Sequence, residues 1–423
     1  MMETMKPFRK IIPIVAAIVW MGCDTLDFPD PNSPVVESAT VQSLITGAEA
    51  GMRVDLDIYL RDICVVGREV YYLEPADPRY TGELLRGPLD PGGFLTVRPW
   101  NAHYRVIKTC NLLLERDDID SGVEGFAKTI LAYNLLLIIN MQDENGARIN
   151  YDGDITQPIA SKDEVFAEIK SLLDEGYADL QAAGSAFSFE LSAGFDGFDT
   201  PGTFAQFNRA VAARVAVYDD RWQDALDALE VSFLDETGDL DDGVYHVYSS
   251  ALNDQESEMY EDPNATFVKL LGHPTFETEA EDGDLRFSTK VTVRDTALPV
   301  LSYDDLTSNL APTMWTSGFD PISIIRNEEL ILLRSEANIG LMDYSAAESD
   351  LNIIREAAGL DPYTDTGAAN ALDRLLYEKR YSLFLEGHRL IDMRHYGRTD
   401  ELPLDRDGDA IVTFPIPETE TPG

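Results

Sequence analysis

The segment Arg326-Asn327-Glu328-Glu329-Leu330-Ile331-Leu332-Leu333-Arg334-Ser335-Glu336-Ala337 places Leu330, Leu333 and Ala337 at i, i+3 and i+7, the spacing of one apolar helical stripe. A break at Gly340 and a restart at Asp343-Tyr344-Ser345-Ala346-Ala347 follow, and Ala347, Leu351 and Ile354 repeat the stripe. The chain thus reads as two antiparallel helices. A third helix is expected after a further break, with Glu386-Gly387-His388-Arg389-Leu390-Ile391-Asp392-Met393-Arg394 as its tail. Charges among apolar neighbours must be paired, because removing one partner of a buried pair costs about 3–5 kcal/mol. Arg326, Glu329, Glu386, Arg389, Asp392 and Arg394 are therefore expected to form structural ion pairs. His388 and His395, on either side of Asp392, are assigned to packing or pairing rather than to catalysis.

The same pattern recurs upstream. Residues 208–229 give a helix, a turn at Asp219-Asp220-Arg221 and the restart Trp222-Gln223-Asp224-Ala225; residues 329–354 give a helix, a turn at Gly340-Leu341-Met342-Asp343 and Tyr344-Ser345-Ala346-Ala347. In both, an aromatic residue stands three positions before an Ala, as in tetratricopeptide helix pairs, where the small residue admits close approach. One such pair cannot bury its apolar face, so several must stack. Further helices are expected over residues 100–114, 124–141 and 163–180, the last with Ser161 and Glu164 at capping-box spacing. Residues 41–72 also carry helical spacing, and Asp77-Pro78, Gly87-Pro88 and Asp90-Pro91-Gly92-Gly93 punctuate a loop. Between residues 237 and 320 the pattern dissolves into irregular loop, with alternation from Phe287 to Val293 allowing a short β-hairpin. The expected fold is mainly α: tetratricopeptide-like helix pairs in a superhelical scaffold with one loop-rich part.

Four of these segments in order, Arg326 to Ala337, Glu378-Lys379-Arg380, Glu386 to Arg394 and Phe414-Pro415-Ile416-Pro417, resemble the C-terminal half of the SusD/RagB family of nutrient-binding outer-membrane lipoproteins. Ser382 departs from the Glu usual in the family. Looser likeness extends to Tyr104-Arg105-Val106-Ile107-Lys108-Thr109-Cys110-Asn111 and to Asp163-Glu164-Val165-Phe166-Ala167-Glu168-Ile169. The resemblance implies a lipid-anchored protein facing the outside of the cell, which captures an oligosaccharide or peptide and delivers it to a SusC-like TonB-dependent transporter.

The N-terminus fits that address. Lys6, Arg9 and Lys10 precede an apolar run from Ile11 to Met21, too short to span a bilayer, and Gly22-Cys23 follows. Residues 1–22 read as a lipoprotein signal peptide, Cys23 as the lipidation site, 23–40 as anchor and tether, and 41–423 as one helical domain with a loop-rich insert at about 237–320. Acyl chains contribute about 0.8 kcal/mol per buried methylene, enough together to hold the chain at a membrane. The formal charge of −43 excludes a general nucleic-acid binder, whose phosphate contacts need a basic surface. Cys64 and Cys110 are too few for a disulfide framework, and the apolar run around Cys110 favours a buried thiol over a bridge.

No nucleophile motif, phosphate loop or metal signature stands out. Asp405, Asp407 and Asp409 about Gly408 offer weak calcium ligation without the distal Glu of an EF-hand, and a solvated turn is the preferred reading. Binding is expected instead from loop aromatics, whose faces complement the C–H faces of sugars: Trp315 first, then Tyr72, Tyr80, Tyr303 and Phe319, with Tyr71 and Phe276 in the same regions. The acidic exterior favours neutral or cationic ligands unless arginines such as Arg79, Arg86 and Arg98 offset the repulsion of an anionic one. The competing functions are a surface glycoside hydrolase, whose carboxylate pair sequence spacing cannot reveal, and a repeat scaffold with only protein partners.

Overall fold

The computed structural model describes residues 39–252 and 254–420. The expected leader 1–22, Cys23 and nearly all of the tether 23–40 lie outside the described residues.

Helices α1 (Val41–Gly51) and α2 (Leu56–Val66) occupy the first helical stretch, and β1 (Val70–Tyr72) replaces its last turn. Thr40 caps α1 by accepting from the Ser43 N–H. The punctuated region holds a short helix, α3 (Arg79–Arg86), closed by Gly87 at φ +64, where a plain loop was expected. Helix α4 (Phe94–Leu114) begins earlier than its apolar stripe suggests and runs through Pro99.

Helix α5 (Ser121–Gln142) is capped by Asp120, and α6 (Lys162–Ala182) carries the Ser161–Glu164 capping box in both directions. Helix α5 is long and apolar enough to cross a membrane, yet its most apolar stretch is almost entirely buried in the protein, so it serves as the core helix. It meets α6 at two glycines: a Cβ on Gly125 would stand 2.5 Å from Leu180 Cγ, and one on Gly176 would stand 3.2 Å from the Gly125 carbonyl. Side chains at either position would force the helices apart.

Helices α7 (Pro201–Tyr218) and α8 (Trp222–Glu230) form the next pair, with Ala225 fully buried between them and their neighbours. Strands β2 (Gly243–His246) and β3 (Leu270–Gly272) follow, then a single turn α9 (Thr275–Thr278), α10 (Leu285–Lys290), and strands β4 (Val291–Val293), β5 (Leu301–Tyr303), β6 (Leu306–Ser308), β7 (Leu310–Pro312) and β8 (Ile322–Arg326). The loop-rich part is therefore better ordered than the sequence suggests. An antiparallel sheet runs in the order β1-β3-β7-β4, a second pairs β2 with β8, and β5 and β6 make a hairpin. That hairpin lies at 301–308 rather than 287–293. Asp304 and Asp305 take φ of 50° and 62°, the left-handed pair that a two-residue hairpin turn requires. Phe287 instead belongs to α10, which Asp284 caps.

The chain ends in α11 (Asn327–Gly340), α12 (Tyr344–Ala357), α13 (Ala371–Ser382) and α14 (Arg389–His395). Ala347 is fully buried, as is Ala225 in the preceding pair. The two pairs also lock together: a Cβ on Gly340 would lie 2.3 Å from the Trp222 indole. The charged tail is not the end of the third helix. Leu385 and Gly387 adopt φ of 63° and 83°, which break the helix and set α14 off as a separate element. About half of the described chain is helical and its strands are short, a tetratricopeptide-like stack with small sheets on one part.

Candidate ligand-binding site

Strands β2 and β8 converge with the segment after β7 and the start of α10's C-terminal turn around an open cleft of about 410 Å³. Its aromatic walls are Trp315 and Tyr245; Lys290, Arg326 and Glu386 supply its charged groups, and Met314 adds an apolar face. A register shift between Val244 and Tyr245 sets Tyr245 opposite Ser323.

Trp315 is 8% exposed and its indole N–H donates to the Pro321 carbonyl at 3.2 Å, so the ring is held by its edge. The loop that follows closes on Asp320, whose carboxylate accepts from the Thr316 hydroxyl (2.8 Å), the Ser317 N–H (3.2 Å) and the Ser317 hydroxyl (2.9 Å). The Thr316 N–H, first among these donors, holds the Asp320 carboxyl below its usual range. A loop so tied is preformed.

Below it, Arg326 donates to Glu386 at 2.8 Å and to the Ser382 carbonyl at 2.7 Å, and also contacts Glu328. Burial alone would lower the pKa of this guanidinium, but Glu328 and Glu386 outweigh it and hold it well above the usual value. Lys290 donates to the Ser382 carbonyl, and burial, then the Arg326 charge, pushes its ammonium below the usual lysine range.

Of the five aromatics singled out from the sequence, Trp315 alone lines this cleft. Tyr72 and Tyr80, 6% and 7% exposed, pack on each other at 4.4 Å. The Arg61 guanidinium covers them at 4.3 and 5.1 Å, so a cation already occupies the faces a sugar would need. Tyr303 ends the hairpin strand β5, and Phe319, at 36% exposure, sits on the loop beyond Trp315. Tyr71 and Phe276 are buried in the core. Arg79, Arg86 and Arg98 are matched by Asp77, by Asp304 with Asp409, and by Asp55. Tyr245 and Lys290 carry no sequence signal: each stands in a segment too short to show a period.

The charged cluster divides into separate contacts. Glu329 takes two hydrogen bonds from Arg214, at 2.5 and 2.6 Å, and Lys379 bridges Glu336 (2.9 Å) and Asp392. Burial pushes the Asp392 carboxyl up to about 7 against the pull of Lys379. Arg394 donates to the carbonyls of Asn140 (3.2 Å), Met141 (3.4 Å) and Val412 (3.3 Å), closing the C-terminus of α5 more than it pairs. Arg389 differs from the expected ion pair: it has no carboxylate within 4 Å among the described residues, its buried Nε lacks a partner, and burial, then Arg380, lowers it to about 10. His388 bonds Tyr218 at 3.0 Å, and burial, then Arg214, holds it neutral far below the ordinary histidine pKa.

The acidic turn near Gly408 does not converge on one point. Asp409 accepts from Arg406 at 2.8 and 3.0 Å, and Asp405 meets His273 at 3.1 Å. Asp409 is buried rather than solvated, and no group of three metal-ligating side chains occurs among the described residues. Cys64 and Cys110 are both free and buried.

Residues 303–410 match the model of the SusD family, and they include the Trp315 wall, Arg326, Glu386 and all of α11 to α14. Over residues 303–410 the chain is similar to the SusD family. Its fold is that of solved SusD-superfamily proteins. One from Bacteroides vulgatus is 16% identical, with a TM-score of 0.68 over 90% of this chain and 96% of that one. Another, from Bacteroides thetaiotaomicron, is 16% identical with a TM-score of 0.65 over 92% and 97%. A third, also from Bacteroides vulgatus and described as a SusD-like carbohydrate binding protein, is 17% identical with a TM-score of 0.62 over 84% and 83%. No curated protein matches this chain.

Proposed function

We propose that this protein is a surface nutrient-binding lipoprotein that captures an oligosaccharide in the Trp315 cleft and passes it to a TonB-dependent outer-membrane transporter. The observation that carries the reading is an open cleft of about 410 Å³ with two aromatic side chains, Trp315 and Tyr245, set on preorganised strands and a tied loop. Sugar rings stack their C–H faces on such side chains while polar groups below fix orientation. The carbohydrate-binding description of one structural relative points the same way. Residues 1–22 would be removed, Cys23 acylated, and 23–40 would tether the helical body, residues 41–423, to the outer leaflet. The activity is binding and release, with neither a cofactor nor a covalent step.

The test is titration of the mature protein with a panel of oligosaccharides, followed by product analysis. Saturable binding with unaltered sugar supports the proposal. Released product would favour a glycoside hydrolase. Absence of any saccharide binding, with a transporter co-purifying, would favour a scaffold.

A further inference from the structure

The cleft floor is rich in hydrogen-bond donors and poor in free acceptors. Glu386 receives two bonds from Arg326, at 2.8 and 3.3 Å, and Glu328 is likewise engaged by Arg326. The Trp315 indole N–H is spent on the Pro321 carbonyl, and the Tyr245 hydroxyl on the Asp241 carbonyl, so both aromatics present only their rings. Lys290 is different. Of its three N–H groups, one reaches the Ser382 carbonyl, while its nearest carboxylate, Glu386, stands 4.0 Å away, beyond hydrogen-bond length. Its side chain is only 15% exposed, so water replaces little of the missing partnership. Ser323 adds a buried hydroxyl without a partner on the same wall. Asp241, at the rim, stands 3.6 Å from Arg326 and is 82% exposed, so water screens it.

We infer that the ligand carries a carboxylate and is an acidic, uronide-type oligosaccharide, with the carboxylate on Lys290 and an apolar ring face against Trp315. The inference rests on the cleft being a saccharide site. A hydroxyl would also accept from Lys290, but a charge-assisted bond is roughly twice as strong as a neutral one, so a carboxylate gains most. Burial, then Arg326, destabilises the ammonium against the pull of Glu386 and Glu328, and a ligand anion in hydrogen-bond contact with it would offset that cost. The acidic exterior does not forbid approach, since at about 0.15 M salt charges more than about 8 Å apart are largely screened.

The experiment compares oligogalacturonate with its methyl ester, which has the same rings without the charge, on the mature protein by calorimetry. Oligogalacturonate is expected to bind about tenfold tighter. Lys290→Gln, which keeps a donor and removes the charge, is expected to erase that preference while melting at the same temperature and still binding the ester. Equal or tighter binding of the ester, or a preference that survives Lys290→Gln, overturns the inference. So does tighter binding of tetraglutamate than of the uronide, which would make the cleft a peptide site. If neither uronide nor ester binds, the inference fails; neutral oligosaccharides binding in the same assay would leave the proposed function standing, and their failure would remove both.

Discussion

At the scale of single residues, burial and partnership decide which charges matter. Arg326 has carboxylates on two sides, whereas Arg389 is a half-buried cation with none within 4 Å among the described residues. Replacing both by Met should therefore give opposite results. Arg326→Met strands Glu386 and Glu328 and is expected to lose about 3–5 kcal/mol in urea unfolding, while Arg389→Met removes an unmatched charge and should be neutral or stabilising. Comparable losses in the two variants would contradict this account. Three buried histidines set the acid response. Burial lowers His103 to about 4, His246 to about 3 and His388 likewise well below the 6.5 of the free side chain. Between about pH 6.5 and 4 the unfolded chain binds more protons at these sites, so their contribution is complete above pH 6.5 and lost as pH falls. Asp392, raised to about 7, works in the opposite sense over the same window, which makes a variant comparison cleaner than an absolute slope. His246→Phe should flatten the pH dependence of unfolding free energy by up to about 1.4 kcal/mol per pH unit below pH 6. An unchanged slope would mean that His246 is not held neutral.

At the scale of elements, legibility in the sequence follows length. Helix α6 could be read to within two residues from Ser161 and Glu164, because a capping box and a five-turn stripe reinforce each other. The three-residue strands could not: β1 finds its partner β3 about 200 positions away, and three residues hold no period. Asp304-Asp305 was the one local sign of the hairpin, an acidic pair whose left-handed turn is recognisable only once the flanking strands are known. Contact between helix pairs left a clearer trace in Gly340, which reads as a helix stop and also makes room for Trp222. Gly340→Val should cost about 1–3 kcal/mol by overpacking, and Trp222→Ala in the same chain should recover part of that loss. Additive losses in the double variant would show that the two residues do not meet.

At the scale of the whole molecule, 76 acidic residues against 33 Lys and Arg make self-repulsion a permanent load on the fold. Basic side chains that are buried, Arg214 and Lys379 among them, take carboxylates in with them, so the excess of negative charge stays on the exterior. Unfolding midpoints are accordingly expected to rise from low salt to about 1 M salt, where screening contracts to about 3 Å. A midpoint that stayed level or fell would show that repulsion is not limiting. The candidate site was only partly legible for a related reason. Trp315 announced itself by its loop, but Tyr245, Lys290 and Glu386 come from three other segments that only the completed stack brings together. The central claim, that a helical scaffold holds out an aromatic cleft for passive capture of saccharide, is most directly tested by calorimetric titration of the mature protein and its Trp315→Ala variant with oligosaccharides. The account predicts saturable binding without product, weakened at least about tenfold in the variant when both proteins are titrated well below the variant's own melting temperature. Undiminished binding by Trp315→Ala, or sugar cleaved during the titration, would contradict it.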